Sequence, residues 1–347
     1  MTHLSGMEYK MKDKLCSMEQ FLDKSQAGVT LFKLIKKILP VFILKGDYFK
    51  WKKKWRSALF FFWRLSHSWV KEIENLNSIR AMIIEEPLYL KYLVKYLKKK
   101  GIKIIAAPQN IETLFENYCK EKYRFHLLKK ELFWLRQCDL VITNSREEAY
   151  FFKNNNIKVM FHKYYPPGFI ENRLLQIRKS RNNLKKEIFV LLGNAGNKAT
   201  EAGMHELMEI WKNNLKKVKL YVVGYYTEGL KPYANNSNVI FLGPLPDDDF
   251  DKLLIKSKAV ICYQKKGPGA LTRIAEMLVA GVPVIANSHA LRSYYNMEGV
   301  FGFDNTEEFV NIVKTIDKED KEINTRYDKP KNLRKKIRKI IVFPSKI

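Results

Sequence analysis

From about residue 80 onward the chain alternates short apolar runs with longer stretches whose apolar residues recur at helical spacing. Ala81–Glu85, Ile102–Ala106, Leu140–Thr143 and Val159–His162 are runs of strand length. Between them, Tyr89–Lys100 predicts a helix with a basic outer face, and further helical sequence runs through Arg136. Asn144-Ser145-Arg146-Glu147-Glu148 predicts a serine-capped helix start, because a Ser hydroxyl can accept from a first-turn amide. Gly168–Lys186 is polar and basic without apolar periodicity, and is read as a linker. The alternation then restarts with Ile188–Leu192, Leu220–Val223, Val239–Leu242 and Ala259–Tyr263. Strands alternating with helices at this spacing predict parallel, doubly wound sheets. The expected organisation is a basic, aromatic segment over 1–79, an α/β domain over 80–167, the linker 168–186, a second α/β domain over 187–317 and a basic tail over 318–347.

The most specific pattern is Gly267–Asn287, GPGALTRIAEMLVAGVPVIAN. A glycine-rich turn runs into a helix that stops at Gly281, followed by the apolar strand Pro283–Ala286. Such a start leaves unpaired N–H groups and the positive end of the helix dipole facing outward, where a phosphate is readily held. Leu271, Ile274 and Leu278 form the buried stripe, while Thr272 and Glu276 lie one turn apart on another face. A carboxylate at Glu276 can accept two hydrogen bonds from a ribose diol.

Composition narrows the classes. The four cysteines are scattered without a CxxC pair and the six histidines do not cluster, so neither a disulfide framework nor a metal site is indicated. No apolar run reaches spanning length, and no secretory leader pattern opens the sequence, so a cytoplasmic chain is expected. A formal net charge of +27 points to polyanionic partners. Ten Lys/Arg against the single acid Asp47 lie between Lys33 and Arg64, interleaved with Trp51, Trp55, Trp63 and several Phe. That mixture suits an element lying on an anionic membrane surface, on the inner face of the membrane. A solvated face over an aromatic core is the alternative reading. Nucleic acid is not the expected partner, since no helix-turn-helix, zinc-finger or RNA-recognition signature accompanies the charge.

The string from Gly267 to Ala286 resembles the C-terminal domain of GT-B glycosyltransferases, in particular the large retaining family that includes bacterial polysaccharide and lipopolysaccharide sugar transferases. The shared features are the Gly-rich loop, Glu276-Met277 five residues before Gly281, and Pro283-Val284-Ile285-Ala286. Ala107-Pro108-Gln109-Asn110-Ile111-Glu112 and Cys138–Ser145 resemble, less specifically, segments of that family's N-terminal domain. The likeness implies two Rossmann-like domains facing a cleft, with a shortened or divergent N-terminal domain, because no opening strand and glycine loop precede Arg80. It implies donor-binding roles for Gly193, Asn194, Gly269, Ala270, Leu271, Thr272 and Glu276, with Gln109, Asn110 and Glu112 on the acceptor side. Lys198 and Arg273 are the candidate catalytic cations for the leaving diphosphate. Asp247-Asp248-Asp249 reads as a helix start rather than a metal motif, and neither a metal nor a cofactor is expected.

The family's residue eight positions before the helix Glu is a second Glu; here it is Pro268, and Gln109 stands where His is common. The implied activity is sugar transfer from a nucleotide-sugar to a polysaccharide, lipopolysaccharide or lipid-linked acceptor, with retention and without metal. A catalytically inactive GT-B scaffold and a basic nucleic-acid-binding protein are the alternatives.

Overall fold

A computed structural model describes residues 79–85, 91–114, 121–182, 184–233, 238–318, 323–331, 333 and 336–337. The basic and aromatic stretch Lys33–Arg64 lies outside the described residues, as does most of the basic tail.

The first sheet has four parallel strands in the order β1-β2-β3-β4: Ala81–Ile84, Lys103–Ala106, Leu140–Thr143 and Val159–Phe161. Helices α1 (Lys91–Lys99), α2 (Glu121–Arg136) and α3 (Arg146–Asn154) connect them. Each helix buries one stripe: Leu93, Val94 and Leu97 from α1 meet Leu132 and Leu135 from α2 and Phe152 from α3 over Ile104 and Val141. The cap expected at Ser145 is present, its Oγ accepting from Glu148 N at 3.2 Å.

The second sheet has six parallel strands. These are β5 (Ile188–Leu192), β6 (Leu220–Val223), β7 (Val239–Gly243), β8 (Ser257–Cys262), β9 (Val284–Asn287) and β10 (Val300–Phe303), in the order β10-β9-β8-β5-β6-β7. The reversal of direction between β8-β9-β10 and β6-β7 makes β5 and β8 the switch point, where an open α/β sheet places its ligand crevice. Helices α5 (Lys198–Asn214) and α8 (Thr306–Lys318) cover one face around the fully buried Trp211, Phe189 and Phe309. On the other face lie α4 (Gly168–Arg181), α6 (Asp247–Lys256) and α7 (Thr272–Val279).

The stretch 168–186, read as a linker without apolar periodicity, contains helix α4, Gly168–Arg181, which packs on α6 and α7. Its inward-facing row is Ile170, Leu174, Ile177 and Arg181, three apolar residues and a cation, so polar contacts share in the docking. Arg178 donates to the carbonyls of Leu278 and Val279 at the end of α7. Buried Arg181 donates to Gly281 O and to Leu254 O. Cationic side chains on the last carbonyls of a helix complement its dipole, so the basic residues of this stretch help to dock it. The acids of Asp247-Asp248-Asp249 open α6, and Asp247 and Asp251 grip Arg173 of α4 at 2.7 and 2.6 Å.

Candidate donor and acceptor cleft

The loops after β5 and β8 lie side by side at the C-terminal edge of the second sheet. After β5, Gly193 donates to Val223 O and Ala195 donates to Tyr225 O, which pulls 193–197 against the turn after β6. That approach depends on Gly224, with φ +132, because a Cβ there would lie 1.7 Å from Gly193 O. Asn194 closes the loop by accepting from Gly196 N at 2.9 Å. Lys198 opens α5 directly behind it, but its side chain lies outside the described residues.

The loop after β8 is held at both ends. Gln264 and Asn287 exchange two hydrogen bonds, Gln264 N to Asn287 Oδ1 at 3.1 Å and Asn287 Nδ2 to Gln264 O at 3.0 Å. His289 contacts Gly267 O through Nε2 at 3.2 Å. Beyond these anchors the amides of Gly269, Ala270, Leu271 and Thr272 find no acceptor among the described residues. Leu271 is the N-cap of α7 and has no side-chain oxygen to offer them. Helix α7 thus presents to the cleft the positive end of its dipole and N–H groups without acceptors among the described residues, an arrangement that can hold an anion.

Arg273 ties the two loops together. Its Nη1 donates to Leu192 O at 3.1 Å, so the guanidinium is half-buried against the start of the Gly193 loop. One turn further on, half-buried Glu276 accepts from the Tyr164 hydroxyl at 2.7 Å. Burial pushes its carboxyl above the ordinary 4.5, while the Tyr164 bond and the nearby Arg273 pull it back only in part. Tyr164 is itself fixed, its backbone carbonyl accepting from Tyr327 Oη at 2.6 Å. Tyr327 stacks on Tyr165 with centroids 6.1 Å apart, so residues 323–331 pack along α4 and support the site. Burial and then Glu276 drive the Tyr164 phenol well above its usual value, so it acts as a fixed donor.

Opposite stands the loop after β2. Asn110 approaches the β8 loop so closely that a Cβ on Gly269, with φ +80, would lie 1.7 Å from Asn110 Oδ1. Gln109 is half-buried beside it, and Glu112 begins a 3-10 turn, Glu112–Leu114. Two buried carboxylates hold this loop from behind. Glu148 accepts from Ile111 N and from Thr143 Oγ1, at 3.0 and 3.1 Å. Glu131 accepts from Glu112 N and from both donors of Thr113. Burial raises both carboxyls above 4.5. A second bridge between the sheets joins α3 to the segment after β9: Ser293 Oγ donates to Glu147 at 2.6 Å and accepts from Arg146 N at 2.8 Å.

Gly193, Asn194, Gly269–Thr272, Arg273, Glu276 and Asn110 are therefore gathered around one cleft. Tyr164, His289 and the Glu131/Glu148 pair were not singled out from sequence. A Tyr 112 residues from its carboxylate, or an acid buried by remote elements, leaves no local signal. Gln264 is also new: its side chain is buried and its amide oxygen has no protein partner among the described residues.

Residues 172–340 match the family model described as glycosyl transferases group 1, and residues 83–162 match glucosyltransferase 3-like, N-terminal domain. No curated protein matches the sequence. Among solved structures, HepE from Anabaena, crystallised with UDP and glucose, superposes with a TM-score of 0.54 at 14% identity over 74% of this chain and 73% of its own. Trehalose 6-phosphate synthase from Burkholderia multivorans gives 0.54 at 12% identity over 80% and 72%. Sucrose-phosphate synthase from Thermosynechococcus elongatus gives 0.50 at 15% over 68% and 63%. At these identities the superpositions speak for the fold, and the two family models speak for the lineage. With two parallel sheets meeting at a cleft and a family model matched on each side of it, the chain is a glycosyltransferase of GT-B fold, carrying a group 1 domain behind a glucosyltransferase 3-like N-terminal domain.

Proposed function

We propose that this glycosyltransferase takes its sugar from a nucleotide-sugar, with the diphosphate on the amides of Gly269–Thr272 and the ribose on Glu276. The observation that carries this reading is the run of four amides without acceptors among the described residues, one helical turn from a carboxylate whose ionised form burial disfavours. The diphosphate supplies the missing acceptors, and ribose hydroxyls supply donors that compensate the buried carboxylate for its lost water. Arg273, fixed against the β5 loop, and Lys198 at the start of α5 neutralise the diphosphate as it leaves, without a metal. UDP is the first nucleotide to test, since HepE was crystallised with it.

The acceptor enters past Gln109, Asn110 and Glu112. That acceptor is a glycan or lipid-linked glycan and the transfer proceeds with retention, a reading that the group 1 domain supports. The Lys33–Arg64 segment suits an enzyme working at an anionic membrane surface on such an acceptor.

The test is a thermal-shift screen of UDP-, GDP- and ADP-sugars, because a ligand that binds only the native state raises Tm. Glu276→Gln should weaken the donor roughly ten-fold, the value of hydrogen bonds to a charged acceptor. The folded variant should keep its Tm without ligand. Unchanged donor affinity would end the assignment of Glu276, and sugar-independent binding without turnover would favour an inactive scaffold.

A further inference from the structure

A second cavity, of about 730 Å³, lies away from the cleft at the opposite edge of the six-stranded sheet. The cleft is built on the C-terminal ends of β5 and β8. This groove instead opens at their N-terminal ends, where Ile188 begins β5 and Lys258 follows the first residue of β8. The five residues of β5 separate the two by about 16 Å. Its volume falls within the range of small-molecule sites.

The floor is apolar. Tyr221 from β6, Leu242 from β7 and Leu253 from α6 line it, on the sheet face toward which α6 packs. The mouth is strongly basic: seven lysines line the groove against three acids. Two of those acids are already paired, Asp317 with Lys258 at 2.8 Å and Asp249 with Lys252 at 3.0 Å. Lys186 donates to Arg181 O. That leaves Lys185, Lys217, Lys219 and Lys256 exposed and without a side-chain partner among the described residues. They come from three separate places in the chain, the approach to β5, the turn before β6 and the last turn of α6. Like charges brought together by different elements repel unless an anion sits among them. Lysine suits phosphate as a point charge that needs no fixed fork.

The chain's own basic segments do not complement this groove. Residues 1–78 carry an excess of Lys and Arg, and Lys331–Ile347 contains no acid, so either would meet like charge. We infer that this groove is a second binding site, for a soluble ligand carrying two or more phosphate groups beside an apolar or aromatic body, as in a nucleoside triphosphate. The phosphates lie among Lys185, Lys217, Lys219 and Lys256, and the apolar body lies on Tyr221, Leu242 and Leu253. The site is separate from the donor cleft and is not part of the transfer machinery.

The test uses the full chain and two probes, tripolyphosphate and ATP, by calorimetric titration at low and moderate salt. The four lysines are exposed, so Lys217→Glu with Lys219→Glu should fold normally, and Lys256→Gln provides a milder variant. Wild type and Glu276→Gln should bind both probes alike, with ATP tighter than tripolyphosphate. The double variant should lose affinity roughly ten-fold or more, while its UDP-induced thermal shift stays intact. Unchanged affinity in the double variant would overturn the inference. So would loss of binding in Glu276→Gln alone, which would place the anion in the donor cleft. Phosphatidylglycerol vesicles are the third probe: lysine-dependent binding to them, with none to ATP or tripolyphosphate, would assign the groove to lipid and overturn the soluble ligand.

Discussion

The two walls of the cleft are made rigid in opposite ways. On the N-terminal wall, side chains reach in and take the backbone: Glu148 and Glu131 bind the amides of Ile111, Glu112 and Thr113. On the C-terminal wall, side-chain bonds from Asn287 and His289 anchor only the ends of the β8 loop, and missing side chains allow the close approaches of its loops. Gly224 lets the β6 turn sit against Gly193 O, and Gly269 lets the β8 loop meet Asn110. The consequence is chemical. Amides on the first wall are spent on internal carboxylates, whereas Gly269–Thr272 on the second remain open to an outside acceptor. A loop anchored at its ends and packed through glycines keeps its central donors, whereas a loop whose own amides are bound by carboxylates does not.

The largest effect expected from breaking this contrast is at Gly224. Gly224→Ala forces a Cβ into a backbone carbonyl at a φ of +132, so the β5 loop must move. Strain and displacement together should cost about 3 kcal/mol, seen as a lower midpoint in urea, and donor binding should fall with it. An alanine variant of wild-type stability would show that the two loops do not depend on each other.

A smaller loss is expected on the other wall. Glu148→Ala strands the Ile111 amide and the Thr143 hydroxyl, which should cost about 2 kcal/mol. Glu148→Gln keeps one acceptor oxygen and should cost less. Because these carboxylates act on the loop backbone, donor affinity should be unaffected in either folded variant. A donor defect equal to that of Glu276→Gln would blur the division between the walls.

The mildest difference is in pH dependence. Glu131 and Glu148 have folded values above 4.5, so between 4.5 and those values the native state holds more protons than the unfolded chain. Their contribution to stability is therefore greatest below 4.5 and declines as pH rises through the folded values. Glu147 has the opposite sign. Burial opposes its charge, but hydrogen bonds from Ser293 and Ser145 hold it below 4.5, so its contribution is lost as pH falls through that lower value. Urea unfolding of Glu131→Gln/Glu148→Gln across mildly acidic to neutral pH should show a flatter decline than wild type. An unchanged slope would mean these two carboxylates titrate alike in both states.

Strand positions were legible because a parallel strand buried on both faces is an almost continuous apolar run, as in Ile188–Leu192 and in Leu140, Val141 and Ile142. The donor loop was legible for a similarly local reason: turn, helix and strand succeed one another within twenty-one residues, and Glu276 is fixed on its face by helical geometry alone. Helix α4 was hidden because it docks through Arg173, Arg178 and Arg181, whose partners Asp251, Leu278 and Gly281 are far away in sequence. The sequence alone determined the parallel α/β class, the glycine-rich turn before a helix and the place of Glu276 one turn into it, since each depends on neighbours a few residues apart. Only tertiary structure decided that Tyr164 holds Glu276, that Glu131 and Glu148 brace the facing loop, and that lysines from three places meet in one groove. Those arrangements rest on chain crossovers, and the order of strands in a sheet is set by packing and not by the periodicity of any one segment.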